Sequence, residues 1–273
     1  MSAQVVRPLV ASVEEPPARP VRMLVSRIVT FCLVEMQKLR HDRTEVVTRA
    51  VQPVLWLVIF GTTFSQIRGL PTGGVSYLAY LAPGVIAQSA LFVAIFYGIQ
   101  IIWERDAGIL SKLLVTPTPR VALVAGKAFA AGVRSLVIAA VVFVVAALMR
   151  VPIRWNPLAL LGVVVVVMLG SAFFACLSLS IAGLVLKRDR LMGIGQAITM
   201  PLFFASNALY PVEIMPSWVR AIALANPMSY EVSALRALML GLPTNLAVDF
   251  GVLGGAAVVG ITVAGSLVGR LSR

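Results

Sequence analysis

Three long runs of apolar residues, Tyr77 to Ile102, Val121 to Met149 and Leu158 to Leu186, constrain this chain more than anything else in it. Each exceeds the roughly 20 residues that a helix needs to cross a bilayer. Hydrocarbon offers a peptide group no hydrogen-bond partner, so only helices and closed barrels cross it. Runs of this length suit helices, and that includes the β-branched stretch Val163 to Val167. With 59% hydrophobic and 12% charged residues, against about 25% charged in soluble domains, the chain reads as an integral membrane protein.

Three shorter runs complete the pattern. The expected fold is an all-α membrane protein with six transmembrane helices, at about 51–67, 77–102, 121–149, 158–186, 191–209 and 247–268. Residues 1–20, rich in proline, form a disordered tail and lack the apolar core of a secretory signal. Residues 21–45 set apolar side chains at helical spacing among cations, as an amphipathic helix in the interface does. Residues 46–273 make one transmembrane domain. Within it, Pro83-Gly84 can kink the second span, and Gly193, Gly195 and Pro201 can bend the fifth. The apolar pieces of 210–242 are too short to span. They fit two re-entrant outer helices between spans five and six, the second capped by Asn226, opened by Pro227 and ended at Gly241.

A net charge of +12 would suggest nucleic acid in a soluble protein. Here the cations stand at the ends of apolar runs, so no nucleic-acid partner is expected. Of 23 Lys and Arg, five (Arg68, Arg150, Arg154, Arg220 and Arg236) fall on the side opposite the N-terminus, the insert after span two, the Lys187 turn and the C-terminus. Cations favour the cytoplasmic side, which puts both termini there. Cys32 and Cys176 read as small hydrophobes. His41 stands alone beside Arg40 and Asp42, so no metal site is expected, and no catalytic set of acids, Ser–Lys or His occurs in the spans.

The insert Trp103 to Pro117 must lie at one face of the bilayer, because Glu104, Arg105 and Asp106 are costly in hydrocarbon. Leu110, Leu113 and Leu114 recur at helical spacing, and Pro117 breaks the pattern. A short surface helix with this stripe suits contact with a partner outside the membrane, or a solvated loop whose stripe meets lipid. Lys127 and Arg134 lie on nearly one face of the third span. Either both snorkel to the cytoplasm, or one pairs with Glu104 or Asp106 and ties the insert to the span.

Three pieces of the chain after Val21 resemble the membrane permeases of ABC type-2 exporters, especially the drug- and antibiotic-export branch typified by daunorubicin-resistance permeases. Glu104-Arg105-Asp106-Ala107-Gly108 with Leu110, Leu113 and Thr116-Pro117 is similar to that family's coupling segment. Pro211-Val212-Glu213 with Pro216 and Trp218 is similar to its outer re-entrant segment, and Asn226-Pro227-Met228-Ser229-Tyr230 with Ala234-Leu235-Arg236 to its Asn-Pro-Leu-Thr-Tyr and Ala-Leu-Arg signature. Asp106 stands where Glu is usual, Ile109 and Ser111 where Thr and Glu are, and Ser233 where Asp is frequent.

The resemblance implies a dimer of permeases, identical or paralogous, set among membrane lipids and bound to cytoplasmic ABC ATPase subunits. ATP and Mg would sit on those subunits, since Gly126-Lys127-Ala128 is no phosphate-binding loop and the chain itself is expected to bind no cofactor. It further implies a multi-pass protein of the prokaryotic plasma membrane that exports a hydrophobic or amphipathic compound by alternating access. The path would run between spans one, two and five, where Phe60, Phe64, Phe92, Phe96, Phe203 and Phe204 could line it or simply pack against helices and lipid. No acid falls within spans one, two, four or five as drawn, which argues against proton or sodium coupling. A lipid-linked polysaccharide or glycolipid is the alternative cargo, and a non-transporting scaffold or channel the alternative class.

Overall fold

The computed structural model describes residues 20–41, 43–65, 72–108, 120–185 and 187–269. The described residues hold helices and no strands. Helix α1 (Pro20–His41) is followed by a rod made of α2 (Arg43–Leu55), a π-helical turn (Trp56–Phe60) and α3 (Gly61–Phe64). Then come α4 (Tyr77–Asp106), α5 (Arg120–Leu148), α6 (Pro157–Val185) and α7 (Arg188–Phe204). A 3-10 turn (Val212–Ile214) precedes α8 (Ser217–Ala225), α9 (Pro227–Leu240) and α10 (Leu246–Val268).

Among the described residues, five stretches are long and apolar enough to cross a membrane: Thr44–Phe64, Tyr77–Asp106, Arg120–Leu148, Pro157–Val185 and Leu246–Val268. Four of them match expected spans closely. The first starts well before residue 51, because Thr44 to Ala50 continues the same helix.

The fifth expected span, 191–209, is instead α7, a helix of 17 residues. At 1.5 Å per residue that is about 26 Å, short of the ~30 Å hydrocarbon core. The helix stops because its last carbonyls find another donor. Asn226 Nδ2 donates to Leu202 O at 2.7 Å and to Ala205 O at 3.1 Å, and Ser206 Oγ donates to Phe203 O at 2.6 Å. Pro201 inside the helix removes a backbone donor as well.

Helix α4 forms the centre. It is opened by Ser76, whose Oγ accepts from Ala79 N at 3.3 Å, and it packs on α5, α6, α7 and α9. Small residues let the backbones close up, which is how membrane helices associate without a hydrophobic driving force. A Cβ at Gly98 would lie 2.8 Å from Ala175 O of α6, and one at Gly84 would lie 2.3 Å from Ala208 O. The Pro83-Gly84 pair is therefore the point where α4 admits the strap after α7 against its backbone. Phe31 of α1 fills the space over Gly126, so α1 packs along α5.

The two short helices expected in 210–242 are present as α8 and α9. Asn226 Oδ1 accepts from Met228 N at 3.0 Å, and Gly241 closes α9 with φ 78°. Helix α9 is mostly buried against α4, α6 and α10, whereas α8 exposes Trp218, Ile222 and Leu224.

Candidate functional site

The acidic start of the insert is helical. Trp103, Glu104, Arg105 and Asp106 form the last turn of α4, and the helix ends where Gly108 takes φ +70°, a conformation that suits glycine. Arg105 Nη2 donates to Asp106 Oδ1 at 2.9 Å on the exposed side. Leu110, Leu113, Thr116 and Pro117 lie outside the described residues, so the leucine-striped surface helix does too.

Lys127 Nζ of α5 donates to the Glu104 carboxylate. Arg134, seven residues on along the same helix, donates through Nη1 to Glu45 Oε1 of α2 at 2.9 Å and lies over the Tyr97 ring at 5.2 Å. Arg49 Nε reaches the same Glu45 oxygen at 2.9 Å. Lys127 and Arg134 are only 5% and 4% exposed. Snorkelling is thereby corrected for both: each is held inside the bundle by a carboxylate from another helix, which is the arrangement a buried cation needs.

Three acids also correct the view that spans one, two, four and five are free of them. Glu45 belongs to the first stretch because that helix begins earlier than expected, and Glu104 and Asp106 to the second because α4 runs on to Asp106. Tertiary packing brings Glu231 of α9 onto Gly170 of α6, fully buried. Neither Glu231 oxygen makes a hydrogen bond among the described residues.

In the outer segment, Arg220 donates to Val212 O at 3.2 Å and Glu213 O at 2.9 Å, fixing the 3-10 turn to α8. Pro216 opens α8, and Tyr230 Oη donates to Leu224 O at 2.8 Å across the α8–α9 corner. Arg236 is the buried centre of this region. Its Nε donates to Tyr80 O at 3.2 Å, its Nη2 to Asn207 O at 2.7 Å and Ala208 O at 3.2 Å, and it stacks over the Tyr80 ring at 3.5 Å. Pro211, Glu213 and Arg236 share a polar cleft of about 230 Å³ with Tyr80 and Asn207. Trp218 stands apart, on an apolar groove of about 540 Å³ with Phe204 and Tyr210. Asn226 and Pro227 form the joint between α8 and α9.

The six phenylalanines fall into two groups. Phe60 and Phe64 belong to a ladder that runs Tyr77, Phe64, Phe60, Trp56, Phe203, Phe204, with ring centroids 4.3–5.9 Å apart. Trp56 joins α3 to α7 in this ladder and was not among the expected residues. Its spacing of four from Phe60 and eight from Phe64 is the signal that could have found it. Phe203 is 1% exposed while Phe204 is 43% exposed, so only the latter offers a free face. Phe92 and Phe96 line a separate cleft of about 400 Å³ between the α2 rod and α4, with Glu45, Arg49, Gln52 and Gln88.

Among the described residues no group of three or more His, Cys, Asp or Glu is placed to hold a metal.

Residues 27–240 match the ABC-2 type transporter family. The transport permease ycf38 of Porphyra purpurea is 29% identical over 191 residues, covering 68% of this chain and 64% of that protein, a little under two thirds of its length. The daunorubicin resistance ABC transporter permease protein DrrB1 of Streptomyces coeruleorubidus is 25% identical over 85% of this chain and 81% of its own. Nodulation protein J of Rhizobium leguminosarum bv. viciae is 29% identical over 74% of this chain and 77% of its own. A match over 27–240 that takes in every helix from α2 to α9, with the end of α4, makes this chain a member of the ABC-2 type transporter family of membrane permeases.

Proposed function

We propose that the chain is the permease half of an ATP-driven exporter that moves a hydrophobic or amphipathic compound, a drug, antibiotic or lipid-like molecule, out of a prokaryotic cell across its plasma membrane. ATP and Mg bind to a separate cytoplasmic ABC ATPase, two permease chains (identical or paralogous) share the path, and both termini face the cytoplasm. Closure of the ATPase pushes the segment after α4 and α1, and the bundle switches between inward- and outward-open states.

One observation carries this reading: the Lys127–Glu104 pair, buried on its lysine side. It ties the last turn of α4 to α5 at the mouth of the coupling segment, so a push there moves two spans together. The exposed aromatic faces of Phe60 and Phe204 and the drug-resistance names of relatives support an apolar cargo. The outer segment of Pro211, Glu213, Pro216, Trp218, Asn226, Pro227, Tyr230 and Arg236 would close the outer side.

The test is ATP-dependent uptake of a fluorescent anthracycline into inside-out vesicles carrying the permease together with an ABC ATPase that copurifies with it. Replacing Gly108 by Val should uncouple ATP turnover from uptake. Normal coupled uptake in that variant would count against the coupling role.

A second cargo, a lipid-linked polysaccharide or glycolipid, is favoured by the polar lining of the Phe92–Phe96 cleft, where Glu45, Arg49, Gln52 and Gln88 offer hydrogen bonds that an apolar drug does not use. Stimulation of ATP turnover by a glycolipid and not by the anthracycline would select it.

A further inference from the structure

The hairpin of α5 and α6 carries an aliphatic groove on its flank. Leu136, Ala139, Phe143, Val144 of α5 and Leu160, Val164 of α6 line a cavity of about 370 Å³ with almost no polar surface. Val144 and Val164 are exposed, on helices long and apolar enough to cross a membrane. The turn joining the two helices, at the end of the bundle opposite the Lys127–Glu104 pair, crowns the groove. Trp155 on that turn meets the Phe143 ring edge-on at 5.9 Å and is itself exposed, the interfacial posture of an aromatic belt.

The same turn carries two exposed cations, Arg150 and Arg154. Among the described residues neither has a carboxylate within ion-pair distance. Arg150 holds φ +61°, an unusual conformation for a side chain-bearing residue, and the Arg154 guanidinium rests against Gly241 at the end of α9. The backbone there is pinned as well, since Arg154 N donates to Met239 O at 2.7 Å. Cations on a fixed turn above a dry groove complement one kind of molecule, an anion with an apolar tail. Depth agrees: Phe143 lies seven residues before Arg150, and one helix of that length rises about 10 Å. The headgroup layer is roughly 5–8 Å deep, so a phosphate at the turn would put the first methylenes in the groove.

We propose that this face binds an anionic glycerophospholipid of the surrounding leaflet, its phosphate between Arg150 and Arg154 and one acyl chain along the α5–α6 groove. The site is distinct from the aromatic ladder and from the coupling end, and it stands whether or not the transport reading does.

Native mass spectrometry of the full-length permease, with palmitoyl-oleoyl phosphatidylglycerol and the matching phosphatidylcholine supplied together, tests it. The wild type should retain phosphatidylglycerol preferentially. Arg150→Asn with Arg154→Gln should reduce that preference by about fivefold per arginine, given roughly 1 kcal/mol per cation near an anionic headgroup. Val164→Trp should expel the bound lipid of either class. Equal retention of the two lipids by the wild type overturns the proposal. So does an unchanged preference in the double variant, or a groove-filling variant that keeps its lipid and loses permease dimers instead. The wild-type comparison and the Val164→Trp arm decide the matter even where the double variant folds poorly.

Discussion

The carboxyl of Glu231 occupies the space that a side chain at position 170 would need: a Cβ built on Gly170 falls 2.3 Å from Glu231 Oε2. The contact joins the middle of α6 to α9, and it sets a buried polar group where no hydrogen-bond donor meets it among the described residues. Gly170→Ala should therefore lower the melting temperature of the detergent-solubilised permease, by the equivalent of about 1–3 kcal/mol for overpacking. Glu231→Gln should be close to neutral, and Glu231→Met neutral or stabilising, because an unsatisfied buried group is removed. A large loss with Glu231→Met would show that the carboxyl has a partner in the native membrane.

The Lys127–Glu104 pair predicts a non-additive double mutant. Lys127→Met or Glu104→Gln alone leaves one charge stranded in the bundle, and for a buried pair that costs about 3–5 kcal/mol, less here because Glu104 is partly exposed. The double replacement should recover part of the loss. Thermal unfolding of the four proteins gives the coupling energy, and a value near zero would mean that the pair holds nothing together.

Asn226 does three things at once: it caps α9, and it satisfies two carbonyls at the end of α7. Asn226→Ala should cost more than the 0.5–2 kcal/mol of an ordinary cap. Asn226→Asp keeps the cap but turns a buried carboxylate oxygen toward the Leu202 and Ala205 carbonyls, so it should cost at least as much as Asn226→Ala. Limited proteolysis near residues 205–210 reports whether the strap comes loose.

Phe203 and Phe204 are neighbours with opposite expectations. Phe203→Ala empties a buried site and should destabilise by about 3–5 kcal/mol. Phe204→Ala should change stability by no more than about 0.5 kcal/mol and, if the aromatic ladder touches cargo, change transport instead. Melting curves and vesicle uptake on the two variants separate packing from contact with cargo.

Gly84→Ala tests the meeting of α4 with the strap after α7. The neighbour there is the backbone of Ala208, which cannot rotate away, so stability should fall more than at Gly251, where no atom lies within 4 Å of a built Cβ. Equal melting temperatures for Gly84→Ala and Gly251→Ala would place no close approach at Ala208.

Hydrocarbon admits only backbones that satisfy their own hydrogen bonds, and the long apolar runs of this chain select helices among them. Spans two, three, four and six, the Asn226-Pro227 start of α9 and its Gly241 stop were all legible from residue type and spacing, because each rests on interactions within a few residues. What depends on residues far apart in the chain was not. The start of the first span at Thr44 rather than 51 comes from Glu45 finding Arg134 on α5, which makes an acid tolerable there. The early end of α7 comes from Asn226, more than twenty residues away. Which cation would pair with Glu104, and which phenylalanines would keep a free face, turned on helix packing that no local pattern encodes. The family resemblance of the α4 end and of α9 could be read directly from the sequence. The burial of Glu231 against Gly170 could not, because a charge in a fourteen-residue helix looks solvated until two other helices close over it.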